Sequence, residues 1–319
     1  MTARSLPRGP VMLGVEALTL TPADRERLSH PLCGGVILFA RNFKSRDQVT
    51  ALTASIHALR EPPLVIAVDH EGGRVQRFRD GFTTLPPMRT LGEWWDDDVA
   101  AATREARQIG ETIARELLQC GIDLSFTPVL DLDHGASTII GDRAFHRNPN
   151  AVAQLAAALH AGLKSAGMAA CGKHFPGHGY IAADSHLELP VDDRDLDALR
   201  CDDLVPFGAL CGVGLESVMM AHVVYPAVDR ESAGYSRKWI SDELRGRLRF
   251  DGLVFSDDLG MAGATGVGDL VARADAALAA GCDVALTCNE MDAADELLSR
   301  WRPSPQPDLA RRWAMVAGT

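Results

Sequence analysis

Between Gly172 and Pro190 the sequence reads GKHFPGHGYIAADSHLELP, which crowds Lys173, His174, His178, Asp184 and His186 into one segment. Three chemistries compete for these groups. A metal site would draw on His174, His178 and His186 with an aspartate, a mixture of imidazole and carboxylate suited to zinc. Barrel metallohydrolases, however, commonly end their first strand in His-x-His, and here the matching position reads Gly14-Val15-Glu16. A Ser-His-Asp triad would need Ser185 to meet its neighbours, yet in an extended segment residues i and i+2 face one way and i+1 the other. Asp184 and His186 then pair while Ser185 points away, and the sequence has no nucleophile elbow. The third chemistry is glycosyl transfer to water. There Asp257 attacks the anomeric carbon and His186, supported by Asp184, protonates the leaving oxygen. A carboxylate neighbour favours the imidazolium and so keeps a transferable proton near neutral pH.

The elements that must carry these residues read as an alternation of strands and helices. Short apolar strands are expected at Pro10–Gly14, Gly35–Arg41, Leu64–Asp69, Leu124–Leu130, Met168–Cys171, Ser217–His222, Gly252–Ser256 and Asp283–Thr287. Helical spacing separates them at Asp47–Leu59 (with Ser45 or Asp47 as N-cap), Val99–Cys120, Ala151–Ala166 and Leu270–Ala280. Gly121, Gly167 and Gly281 stand as stops. Gly172–Pro190 itself is expected to leave the fifth strand and form a loop, because glycine and proline weaken regular structure. Eight strands alternating with helices predict a single-domain (β/α)8 TIM barrel over residues 1–319. A doubly wound sheet is the alternative, disfavoured by the lack of G-x-G-x-x-G or a phosphate-cradling G-K-[ST].

In a barrel, catalytic groups gather at the C-terminal ends of strands. Here those ends read Asp69-His70-Glu71-Gly72-Gly73-Arg74 with Arg77 beyond, then Asp131 and Asp133 followed by Gly141-Asp142-Arg143, then Lys173-His174, His222 and Asp257-Asp258. Taken singly, each has a structural reading. Asp257 or Asp258 would cap the next helix, Asp131 and Asp133 would cap or sit in a solvated loop, and Arg74 and Arg77 would be surface cations. His222 would be a hydrogen-bonded structural histidine and His178 would order its loop. Capping does not require such a coincidence at several strand ends.

Composition narrows the classes. A net charge of −11 argues against nucleic-acid and anionic-membrane partners. No apolar run is long enough to span a bilayer, and Met1–Leu20 lacks the marks of a secretory signal. Seven scattered cysteines without C-x-x-C read as reduced, buried residues of a cytoplasmic protein.

Several motifs together resemble the bacterial β-N-acetylglucosaminidases (β-hexosaminidases) of glycoside hydrolase family 3. They are DHEGGRVQR from Asp69 to Arg77, GDRAF from Gly141, KHFPGHG from Lys173 with Asp184-Ser185-His186, Met220-Ala-His-Val223, and FSDDLGM from Phe255. The resemblance spans nearly the whole chain. It implies a single barrel with Asp257 as nucleophile, the Asp184/His186 dyad as acid/base, and Asp69, Arg77, Arg143, Lys173 and His174 binding the terminal N-acetylglucosamine. The implied reaction removes that sugar, with retention, from N-acetylglucosaminyl-1,6-anhydro-N-acetylmuramic acid and its peptides in cytoplasmic peptidoglycan recycling. No metal or cofactor is expected, and a monomer is. His70 stands where Gln is common, and Tyr180-Ile181 where some relatives carry Asp-Thr. Two-domain β-glucosidases of the family take their acid/base from a second domain, for which this chain has no room. A barrel that binds cell-wall sugars without turning them over stays open; loss of Asp257 or His186 would have favoured it, and neither is lost.

Overall fold

The computed structural model describes residues 4–181 and 189–317. Eight parallel strands close into a barrel in chain order: β1 Val11–Gly14, β2 Cys33–Leu38, β3 Val65–Val68, β4 Leu124–Ser125, β5 Ala169–Phe175, β6 Ser217–Met220, β7 Leu253–Asp258 and β8 Val284–Thr287. β8 pairs with β1 through Ala285–Val11, Leu286–Met12 and Thr287–Leu13, which completes the ring. The expected (β/α)8 barrel is therefore the fold.

The connecting helices are α1 Pro22–Leu28, α2 Arg46–His57, α3 Met88–Asp97, α4 Val99–Leu118, α5 Pro149–Ser165, α6 Leu196–Cys201, α7 Leu204–Gly212, α8 Leu270–Ala280, α9 Met291–Arg300 and α10 Leu309–Val316, with a π-helical turn set at Lys238–Arg247 before β7. Their ends follow local chemistry. Ser45 caps α2 by accepting from the Gln48 amide, and Asp98 caps α4 through Ala101.

Burial sorts the side chains into two cores. Inside the barrel, Met12, Ile37, Val65, Leu124, Phe126, Cys171, Met219, Phe255 and Leu286 fill the cylinder. Between barrel and helices lies the larger core, including Val36, Ile66, Leu117, Leu159, Phe175, Trp239 and Val254. Strands buried on both faces account for their unbroken apolar runs.

Four expectations need correction. The fifth strand runs on to Phe175, so Lys173 and His174 belong to a strand and not to the loop. Gly172 is tolerated there because a Cβ would press on Leu130 and Leu215. The fourth strand is shorter than expected, ending at Ser125; beyond it the Cys171 and Lys173 amides still donate to the Thr127 and Pro128 carbonyls, and Val129 bridges Lys173. The second strand ends at Leu38, and Ala40–Asn42 forms a 3-10 turn instead. Finally, Cys201 is exposed and Cys211 half-buried, while the other five cysteines are buried; all seven are free thiols.

Candidate active site

The C-terminal ends of the strands surround a cavity of about 440 Å³, within the size range of small-molecule sites. Asp69, Arg77, Arg143, Lys173, His174 and Asp257 all line it. Six of the eight residues singled out from the sequence are thus brought together. The other two, Asp184 and His186, lie outside the described residues.

The cationic side of the cavity is built on Glu71. This carboxylate is buried and accepts both arms of the Arg143 guanidinium, each at 2.8 Å, and the Lys173 ammonium at 2.6 Å. Lys173 also donates to Asp69 at 2.7 Å, and Arg77 stands 3.6 Å from the same carboxylate. Burial would raise the pKa of Glu71, but Arg143 and Lys173 outweigh it and hold the carboxyl far below its usual range. Burial likewise opposes the charge on Lys173, while Asp69 and Glu71 more than restore it. The cations are therefore fixed charges with defined directions, suited to charge-assisted bonds with hydroxyl groups.

Asp257 ends β7. Burial pushes its carboxyl up; His174 and His222, the Asp258 amide and Lys173 together pull it lower still, below the usual carboxylate range. It is ionised at neutral pH, as a nucleophile needs to be. Its neighbour has the structural task that the sequence left undecided between them. Asp258 accepts from the amides of Gly260 at 3.0 Å and Cys288 at 3.2 Å, tying β7 to β8, and burial raises its pKa. His222 is a structural histidine, buried, with Nε2 at 3.1 Å from the Asp258 carbonyl. Asp133 behaves as a loop residue, accepting from the Gly135 amide and pairing with Arg89. Arg74 is a half-exposed cation paired with Asp142 at the cavity rim.

Asp131 does not behave as a cap or as a solvated loop residue. It is wholly buried and accepts from His174 Nδ1 at 2.7 Å and the His178 amide at 2.7 Å. Sequence gave no sign of this, because burial and not residue type sets its role. Glu71 was likewise named among the strand-end groups but given no part. Its signal was the buried Asp69-His70-Glu71 run itself, which places a second acid within reach of the same lysine.

Two further groups pack around Tyr180 and Arg194. Tyr180 lies edge-on to His134 at 5.1 Å, and the Arg194 guanidinium stacks over its ring at 4.0 Å. Arg194 in turn pairs with Asp192 and Asp203, both at 2.6 Å. His134, Asp202 and Asp203 bring ligand-type atoms within 4.8 Å of one another, but Arg147 and Arg194 already occupy the two carboxylates, so the cluster is an ion-pair network.

A closed parallel barrel whose mouth combines an ionised acid, two buried cations and further carboxylates is built for an enzyme acting on a hydroxyl-rich small molecule. Residues 12–304 match the glycosyl hydrolase family 3 N terminal domain. The chain belongs to glycoside hydrolase family 3, and it is a glycosidase of the β-hexosaminidase group. A β-hexosaminidase of Chromobacterium violaceum is 60% identical over 314 residues, covering 98% of this chain and 88% of that protein. Native NagZ from Neisseria gonorrhoeae has the same fold, with a TM-score of 0.94 and 52% identity over 99% of this chain and 91% of that one. The same NagZ in complex with N-trifluoroacetyl-D-glucosamine superposes with a TM-score of 0.95 at 53% identity, covering 99% and 91%. No helix among the described residues is long and apolar enough to cross a membrane.

Proposed function

We propose that this chain is a retaining exo-β-N-acetylglucosaminidase of cytoplasmic peptidoglycan recycling. Its substrate is N-acetylglucosaminyl-1,6-anhydro-N-acetylmuramic acid and the peptides attached to it, and it works as a monomer without a cofactor. The observation that carries the reading is Asp257, ionised and facing a cavity whose other walls present Asp69, Arg77, Arg143, Lys173 and His174. A relative that holds an N-acylglucosamine analogue supports the sugar assignment.

In this scheme the five polar residues hold the hydroxyl and acetamido groups of the terminal sugar. Asp257 attacks the anomeric carbon as His186, supported by Asp184, gives its proton to the leaving oxygen. His186 then takes a proton from water, which displaces Asp257 and restores the β configuration. Using histidine in this role departs from the two-carboxylate arrangement general to glycosidases.

The test is release of p-nitrophenol from its β-N-acetylglucosaminide and its β-glucoside, with and without EDTA. The expected result is EDTA-insensitive hydrolysis of the N-acetylglucosaminide, abolished by Asp257→Ala with sugar binding retained. In His186→Ala, azide restores turnover of the aryl glycoside and yields the β-glycosyl azide. Preference for the glucoside sinks the specificity, EDTA sensitivity revives a metal site, and an α-azide product rules out double displacement through Asp257.

A further inference from the structure

Asp131 is out of reach of the cavity that it serves. It is wholly buried, and both of its oxygens are engaged: Oδ2 takes His174 Nδ1–H at 2.7 Å and Oδ1 takes the His178 amide at 2.7 Å. The His174 amide lies 3.3 Å from both oxygens, so backbone and ring of one residue face a single carboxylate. Its hydrogen-bond partners among the described residues are all donors. Burial would raise its pKa, but His174, His178 and the His178 amide outweigh that and keep it ionised.

The ring of His174 lines the cavity, and with Nδ1 turned inward the remaining nitrogen, Nε2, has no hydrogen bond among the described residues. We propose that Asp131 is a positioning residue that acts through His174, holding its Nδ1–H and so fixing the ring with Nε2 toward the sugar. This rests on the reading of the cavity as the site of a terminal N-acetylglucosamine. The wall also holds Lys173 and Arg143, which only donate, and the carboxylates Asp69 and Asp257, which accept. With Nδ1 held by Asp131, Nε2 is the ring atom presented to a hydroxyl beside Asp257.

Asp131→Asn tests this with nearly no change in volume. A carboxamide has one oxygen and an NH2 group, and the NH2 cannot face the His178 amide, itself a donor. Oriented with its oxygen on His178, the carboxamide donates to His174 Nδ1 and moves the ring proton to Nε2.

The experiment is a long-range proton–nitrogen spectrum of histidine-labelled enzyme without substrate, with His174 assigned by comparison with His174→Gln. Wild type is expected to carry a proton on His174 Nδ1, and Asp131→Asn to have lost it there and kept one on Nε2. With the fold intact by circular dichroism, Asp131→Asn is expected to lose about 10- to 100-fold in kcat/KM on the p-nitrophenyl N-acetylglucosaminide, the scale of one charge-assisted hydrogen bond. In a His174→Gln background the same change is expected to cost less than about 3-fold, because the residue through which it acts is gone.

An Nε2–H tautomer in wild type overturns the proposal, and so does an unchanged tautomer with unchanged kcat/KM in folded Asp131→Asn. A loss that multiplies fully in the His174→Gln background overturns it too, by returning Asp131 to a general structural role. If Asp131→Asn does not fold, the wild-type spectrum decides alone. The tautomer is read without turnover, so an enzyme inactive on N-acetylglucosaminides would sink the proposed function while leaving this result to stand.

Discussion

His70 shows how one residue changes the behaviour of a conserved-looking motif without touching its chemistry. Its ring is fully buried, 5.6 Å from Phe82 and 6.3 Å from Phe78 between centroids, and neither ring nitrogen has a hydrogen-bond partner among the described residues. Burial first, and Arg79 second, lower its pKa from the ordinary 6.5 to about 4. The unfolded chain therefore binds the proton more readily between those values. The stability that comes from keeping His70 neutral is complete above pH 6.5 and is lost as pH falls toward 4. Urea unfolding at pH 7 and pH 5 should show wild type losing roughly 2 kcal/mol more over that interval than His70→Gln. Equal losses in the two proteins would show that His70 is not the proton-linked group. Asp69, Lys173, His174 and Asp257 are polar groups at the ends of apolar strands, whereas Arg77 and Arg143 lie in the connections beyond and are named through the motif resemblance; all six line the cavity. Residue types and order could not distinguish Asp257 from Asp258, or reveal that Asp131 is buried, since neighbouring aspartates differ only in what surrounds them.

At the scale of elements, periodicity located all eight strands but misjudged where some of them stop. β5 stays in the sheet past Gly172 although its register against β6 shifts between Gly172 and Phe175, and Val129 bridges Lys173 on the other side. The stretch between β3 and α4 holds α3 and a small hairpin, His70–Gly72 with Val75–Gln76. Its turn uses Gly72 and Gly73 at φ 108° and 53°, values that favour glycine, and no apolar alternation announced it. That hairpin delivers Glu71 to β5 and to the Gly141–Arg143 turn, so one carboxylate joins three elements. Glu71→Gln leaves Lys173 and Arg143 sharing a neutral acceptor. Breaking one partner of a buried ion pair costs about 3–5 kcal/mol, so the variant should melt earlier and bind N-acetylglucosamine more weakly, by calorimetry. Unchanged affinity in the destabilised protein would mean that Glu71 supports the fold alone and does not aim the two cations.

For the molecule as a whole, the cavity and a buried tryptophan cap lie at opposite ends of the barrel. The cavity opens at the C-terminal ends of the strands, while the last helix, α10, closes the N-terminal end. Trp313 is buried there, donates its indole N–H to the Gly9 carbonyl at 3.0 Å, and packs with Leu309 and Val316 into the core inside the barrel. A Cβ at Gly34 would collide with the Gly9 carbonyl and with the Trp313 ring, so the close packing of this end requires glycine there. The sequence does not announce this role of α10, because a single tryptophan in a short helix does not show what it covers. We propose that the described chain unfolds as one domain, since β8 pairs with β1 and α10 seals strands from both ends of the sequence. Trp313→Ala removes a large buried side chain and the indole bond, at a cost of about 3–5 kcal/mol. The expected outcome is a lower Tm with a single, still cooperative transition, and KM for the aryl N-acetylglucosaminide within about 2-fold of wild type below that transition, because uniform binding at the far mouth is untouched. Two separate transitions would refute the single-domain proposal. A large rise in KM at temperatures where the variant is fully folded would show instead that the floor of the barrel communicates with its mouth.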